Sequence, residues 1–301
     1  MSQMNRLLRT TTTDGLELQG FIYHCQARVD RAVIHIHGLC GNFYENRFID
    51  SIATAVLEEQ WHFLSGNTRG HDYVTDIIRQ TPAGPEYVQI GGTYELLEEA
   101  GLDLDAWITL LAGYGYGRVV LEGHSTGALK AASYALHSGD DRVAGLILLS
   151  PSDDCGLQKN LLGDRFEATL GHAEELVRAG RGRELMPADW FEYPISAQTY
   201  LSTFRPGSLS ELFSSCPRSG RRFKEIASLT IPVLAVYGTE NEAVTGPVEE
   251  YANLLSAHVA RSFEIEIVQG ASHSYLGQES RVASVVQKWL QRTFTVPEQG
   301  C

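Results

Sequence analysis

One short run in this 301-residue chain has the residue types and spacing for nucleophilic chemistry. Gly123-His124-Ser125-Thr126-Gly127 is a G-x-S-x-G pattern between an apolar, β-branched stretch (RVVLEG, 118–123) and a small-residue stretch of helical character (TGALKAASYALHS). A sharp strand-to-helix turn forces its central residue into strained backbone geometry, and small residues two before and two after relieve the crowding. Ser125 Oγ is then held above the sheet at a helix N-terminus, where the dipole favours developing negative charge. A serine hydroxyl also needs a base. Among ten histidines, His273 in GASHSY follows the last strand-like run, FEIEIVQG, and precedes a helical stretch, which puts it in a loop at a strand end. His62 opens a strand-like run, His124 neighbours the serine, and His137, His172 and His258 fall in helical stretches.

A third segment, His35-Ile36-His37-Gly38-Leu39-Cys40-Gly41, closes an early apolar run. Acyl transfer through a tetrahedral intermediate requires two preorganised backbone N–H donors for its oxyanion. The residue after the serine, Thr126, supplies one; the loop after the early strand supplies the other from Leu39, with Cys40 as the alternative. Such chemistry needs no metal and no organic cofactor. His35, His37 and His71 make no HxxxH or HExxH pattern, so no metal site is expected, and Cys40 reads as a small packed residue rather than a reactive thiol.

These groups depend on the elements that carry them. LLRTTTT and LELQGFIYH flank Asp14-Gly15, a dipeptide that favours a type I′ hairpin turn. RAVIHIH (31–37), HFLSG (62–66), RVVLEG, VAGLILLS (143–150), PVLAVYG (232–238) and FEIEIVQG (263–270) read as buried strands. Helical spacing separates them over 45–60, 94–112, 126–138, 247–260 and 280–294. Residues 73–93 contain Pro82, Gly84, Pro85, Gly91 and Gly92 and read as a long loop near a working face. From 152 to 225 no strong strand run occurs; the helical stretch 163–179 is bounded by glycine and proline. The class is therefore α/β with a mostly parallel sheet, its core formed by residues 1–151 and 226–301, with residues 152–225 inserted.

Composition narrows the partners. Twenty-four Lys and Arg against 37 Asp and Glu give a net charge of −13, which repels phosphate backbones and anionic membranes; no nucleic-acid partner is expected. The densest basic run, RSGRRFK (218–224), reads as a solvated face. No stretch is apolar enough for a membrane span, and the opening residues hold no apolar core of signal-peptide length. Five widely spaced cysteines without a C-x-x-C argue against a disulfide framework. A cytoplasmic, reducing location is expected, and a homodimer is compatible with the sequence.

The chain resembles the α/β-hydrolase superfamily over nearly its whole length, through HIHGLCG (35–41), NTRGHDY (67–73), GHSTG (123–127), VYGTENEAV (236–244) and GASHS (270–274). The second is similar to the superfamily's D-x-R-G-x-G stretch, with Asn67 and Asp72 as departures. GNFYEN and GGTYE, with the compact insert, resemble a poorly characterised bacterial branch of serine hydrolases. The resemblance implies an eight-stranded sheet with a helical cap after strand six, Ser125 as nucleophile, His273 as base, and Leu39 and Thr126 as oxyanion donors. The acid departs from the pattern: three residues after Gly238, where an Asp often stands, is Asn241. Glu242 or Glu240 supplies the carboxylate after a one-residue shift, or Asp153 or Asp154 past strand six does, or Asn241 is itself the third member. The expected function is cleavage of a carboxylic ester of a small or medium apolar substrate through an acyl-enzyme. Two alternatives are a thioesterase, acyltransferase or cyclase acting on a carrier-bound acyl chain, and a hydrolase-like scaffold that binds a ligand with little turnover.

Overall fold

The computed structural model describes residues 5–294 except Glu192, Arg218 and Arg221, so those two arginines of the basic run, and Cys301, lie outside the described residues. Eight strands form one sheet: β1 (Arg6–Thr11), β2 (Glu17–Tyr23), β3 (Arg31–Ile36), β4 (His62–Gly66), β7 (Arg118–His124), β8 (Val143–Leu149), β9 (Val233–Glu240) and β10 (Phe263–Ser272). Their spatial order is β1-β2-β4-β3-β7-β8-β9-β10. Only β1 with β2 and β2 with β4 run antiparallel; every other pairing is parallel.

The apolar runs are continuous because both faces of the central strands are covered. Val33, Val120, Ile147, Leu149, Leu234 and Val236 point to one face and pack with α1 (Phe48–Glu58) and α8 (Glu279–Phe294). Their neighbours Ile34, Leu121, Leu148 and Ala235 point to the other, against α2 (Ala100–Gly113), α3 (Thr126–His137) and α7 (Val248–Ser256). This alternation is the period-2 consequence of the pleat.

Two expectations need correction. Residues 73–93 are not an irregular loop: they hold a hairpin of β5 (Thr75–Thr81) and β6 (Gly84–Ile90), closed at Pro82-Ala83. Pro82 sits at the turn and Gly84 and Pro85 in a two-stranded ribbon, where a missing N–H donor costs little, while Gly91 and Gly92 follow it. The β1–β2 turn is likewise not type I′, which requires positive φ at both central residues. Here Thr12 N–H donates to Leu16 O at 2.9 Å and only Gly15, at φ 92°, is left-handed. That turn receives the β5–β6 hairpin through a bond from Gln80 N–H to Gly15 O (2.8 Å).

After β8 the chain leaves the sheet. α4 (Asp154–Leu162), α5 (Phe166–Arg178) and α6 (Ala197–Phe204) close on a separate apolar cluster that includes Leu162, Phe166, Leu170, Tyr200 and Phe204. Further on, Leu212, Phe213, Phe223 and Ile226 pack into the main core beside α3 and α7 rather than with these helices.

Beneath β4, the departure from the D-x-R-G-x-G pattern is absorbed locally. Asn67 Oδ1 accepts from Phe43 N–H (3.0 Å), while buried Arg69 pairs with Asp103 (3.0 Å), Asp14 (3.1 Å) and Glu99 (2.6 Å). Asp103 is fully buried and is pushed up to about 6 by that burial, against the pull of Arg69.

Candidate active site

Ser125 occupies the turn between β7 and α3 at φ 56° and ψ −125°, a left-handed conformation costly for any residue with a Cβ. The flanking glycines are enforced by contact. A Cβ on Gly123 would stand 2.2 Å from Gly127 O, and one on Gly127 would stand 2.3 Å from Ile36 O. Ser125 N–H donates to Leu149 O (2.8 Å), which ties the turn to β8.

Ser125 and His273 line one cavity of about 690 Å³ at the ends of the parallel strands. Leu39, Cys40 and Thr126 line it too, so the expected donor segments face the serine's cavity. The segment before Leu39 is braced by His37, which burial holds neutral. Its Nε2 accepts from Thr68 N–H (3.0 Å), so its Nδ1 carries the proton and donates to Gly38 O (2.8 Å). Cys40 has its thiol pushed up to about 12, by burial first and the Glu95 carboxylate second, and stays protonated.

The structure places the five acid candidates in different surroundings. Glu242 Oε2 lies 3.2 Å from His273 Nδ1, with the carboxylate side chain 4% exposed. Its other oxygen, Oε1, accepts from Gly238 N–H (2.6 Å) and lies 2.8 Å from Ser150 Oγ. Asn241 lines the cavity at φ 52°, and this left-handed residue at the end of β9 turns the chain so that Glu242 projects back to the strand end. Glu240 is exposed and pairs with Ser272 at the sheet edge. Asp153 is fully buried and caps α4: it accepts from Gly156 N–H (2.9 Å), Ser215 Oγ (2.9 Å) and Thr245 Oγ1 (2.9 Å), which commits it to structure. Asp154 lines the cavity instead, pushed up to about 6 by burial, with the His273 charge acting the other way.

Three residues of the site carried no sequence signal strong enough to single out a role. His124 is buried and driven down to about 3 by desolvation first and the charge of His273 second, so it is neutral. A carbonyl only accepts, so His124 Nε2–H donates to His273 O (2.8 Å) and fixes the loop from behind. Ser150 and Tyr275, both fully buried, stand behind Glu242. Their positions, one past β8 and two past His273, were the available hint. Deeper still, His35 and Glu122 form a fully buried pair at 2.8 Å. Among the described residues no cluster of three or more His, Cys, Asp or Glu is arranged to hold a metal ion.

The cavity's far wall comes from α4 and the segment before and within α6, including Leu157, Gln158, Phe191, Tyr193 and Phe204. Phe191 sits edge-on to Phe204 (5.6 Å) and Tyr193 (6.0 Å), and Tyr193 meets Tyr73 at 5.5 Å. Among the described residues that line the cavity there is no lysine or arginine.

No curated protein matches the chain in sequence. Solved structures resemble it in fold at low identity. Est1E from Butyrivibrio proteoclasticus, with ferulic acid bound, superposes with a TM-score of 0.66 at 18% identity, covering 94% of this chain and 98% of that one. The Pyrococcus furiosus esterase Pf2001 gives 0.60 at 17% identity, over 97% and 92%. DcsB in complex with its substrate analogue gives 0.66 at 16%, over 97% and 100%. The model of the alpha/beta hydrolase fold matches residues 31–276, and the chain belongs to that family.

Proposed function

We propose that this chain is a serine hydrolase that cleaves carboxylic esters of small or medium, predominantly apolar substrates through an acyl-enzyme on Ser125. The observation that carries the reading is the carboxylate–imidazole contact, Glu242 Oε2 to His273 Nδ1 at 3.2 Å, made to the histidine that lines the same cavity as Ser125. His273 Nε2 takes the Ser125 proton as Oγ attacks the carbonyl; the imidazolium then gives that proton to the leaving alcohol. Water, activated by the same imidazole, adds to the acyl-enzyme and releases the acid. The backbone N–H groups of Thr126 and Leu39 receive the oxyanion. Glu242 holds the imidazole in the tautomer that exposes Nε2 and offsets the charge of the imidazolium.

The cavity supports this substrate class. Its aromatic far wall offers flat apolar surface, and the absence of lining cations among the described residues disfavours phosphate-bearing carriers such as pantetheine thioesters. The neighbouring Est1E, solved with ferulic acid, lends support to an aromatic acyl group. A fluorophosphonate probe should label the wild-type protein stoichiometrically and leave Ser125→Ala unlabelled, with ester hydrolysis lowered by roughly 10⁶ in kcat. An unlabelled wild type, or a labelled and active Ser125→Ala, overturns the reading.

A further inference from the structure

We propose that Ser150 and Tyr275 are positioning residues: a buried hydroxyl pair that orients the Glu242 carboxylate and ties it to the loop carrying His273. The inference rests on the serine-hydrolase reading above. Ser150 Oγ lies 2.8 Å from Glu242 Oε1 and 2.7 Å from Tyr275 Oη, and Tyr275 Oη lies 2.8 Å from Val236 O. The order of the protons follows from what each group can do. A carboxylate and a carbonyl only accept, and each hydroxyl has one proton. Ser150 therefore donates to Glu242 Oε1, and the single Tyr275 proton, which stands between two acceptors, is shared by Ser150 Oγ (2.7 Å) and Val236 O (2.8 Å).

The backbone is bent to make this pairing. Ser150 has φ 46° and Tyr275 φ 54°, both left-handed for residues with a Cβ, and each is pinned at its amide. Ser150 N–H donates to Val236 O (2.7 Å) and Tyr275 N–H to Ser272 O (2.8 Å). Local strain of this kind persists where surrounding contacts over-determine it. The hydroxyl pair thus joins three strands: the end of β8 through Ser150, the middle of β9 through Val236, and the loop after β10 through Tyr275. The acid arrives one residue later than the usual position and on a longer side chain, so it needs an anchor on Oε1 for Oε2 to stay on His273. Gly238 N–H supplies one anchor and Ser150 the second.

The pair also sets how much charge Glu242 presents. Each donor on Oε1 withdraws charge from the carboxylate, so removing Ser150's donor strengthens the pull of Oε2 on the imidazolium. The other charged or titratable groups lining the cavity with His273 are Cys40, Glu45, Tyr73, His124, Asp154 and Tyr193, and none of them changes in the variants proposed here.

The test uses Ser150→Ala, Tyr275→Phe and the double variant, assayed on a neutral aryl ester beside Glu242→Gln. Each single variant should lower kcat about tenfold with KM unchanged, because a hydrogen bond to a charged group has been lost in the reaction's machinery. The double variant should fall short of the product of the two losses, because the hydroxyls act as one unit. Ser150→Ala should move the acidic limb of the kcat/KM profile to higher pH, whereas Glu242→Gln moves it lower. In the Glu242→Gln background, Ser150→Ala should change neither rate nor limb. Melting temperatures identify any variant that fails to fold, and Tyr275→Phe preserves the ring packing. Unchanged kcat and pH limb in folded Ser150→Ala and Tyr275→Phe, with Ser125 still labelled by fluorophosphonate, overturn the pair's role alone. Loss of labelling in the wild type overturns the underlying function instead.

Discussion

The cavity has two walls built on opposite principles. On the sheet side, polar groups are buried and multiply bonded, and the backbone is strained to place them. Five of the eight non-glycine residues at positive φ among the described residues, Cys40, Ser125, Ser150, Asn241 and Tyr275, lie at this wall or directly behind it. On the helical side, α4 to α6 close on their own apolar cluster and present half-buried aromatic rings that contact mostly one another. The difference teaches a division of labour. Chemistry needs groups fixed to within a fraction of an ångström, which only a packed sheet end supplies. Substrate selection needs shape, which a semi-independent helical wall can vary at small cost to the core.

The sharpest way to break the contrast is at the proposed acid, Glu242. Glu242→Gln keeps the side chain's size and its Oε1 contacts but removes the charge on His273, and kcat should fall by about 10⁴ with little change in KM. Moving the carboxylate to the usual position, with Asn241→Asp added to Glu242→Gln, should not restore it. Asn241 sits at φ 52° in the turn and faces the cavity, while Glu242 is the side chain whose carboxylate stands against Nδ1. Steady-state kinetics on a neutral aryl ester decides it: recovery by Asn241→Asp would show that the sheet wall tolerates a relocated acid and is less rigid than its bonding implies.

The same contrast explains what could be read from the sequence. The strand runs, the G-x-S-x-G turn and the position of His273 just past the last strand were legible because a parallel sheet buried on both faces leaves long apolar stretches, and the turn leaves glycines where a Cβ would collide with backbone. The partner of His273 Nδ1 was open among five residues because the contact rests on one left-handed backbone angle at Asn241, which no spacing reveals. Asp153 looked equivalent to Asp154 in sequence; one caps a helix and the other faces the cavity. The 73–93 hairpin was hidden by prolines that an edge ribbon tolerates. Ser150 and Tyr275 had no motif at all, since their partnership spans three strands.

A smaller effect is expected at the helical wall. Phe191 contacts Phe204, Tyr200 and Tyr193, all edge-on, and faces the cavity. Phe191→Ala removes apolar surface from the substrate side without touching the strand ends. KM for an aryl ester should rise about tenfold while kcat stays within about twofold. A matched short alkyl ester should show a smaller rise in KM. A loss confined to kcat would mean that this ring supports the reacting groups, and the separation between the two walls would fail.

The smallest effect tests whether the helical wall contributes charge as well as shape. Asp154, the first residue of α4, is pushed up to about 6 and lines the cavity. It is neutral below that pH and negative above it. A carboxylate product held in the cavity should therefore be repelled more as pH rises through about 6, with its inhibition constant increasing roughly fivefold for screened charges at this range. Other groups of the cavity add pH dependence of their own, so the wild-type profile alone does not isolate Asp154. Asp154→Asn retains every other contribution and removes the part due to Asp154. The difference between the two profiles isolates the residue: it should be near zero at pH 5 and largest at pH 8. Identical profiles would mean that Asp154 carries no charge that the ligand feels, leaving the helical wall a matter of shape alone.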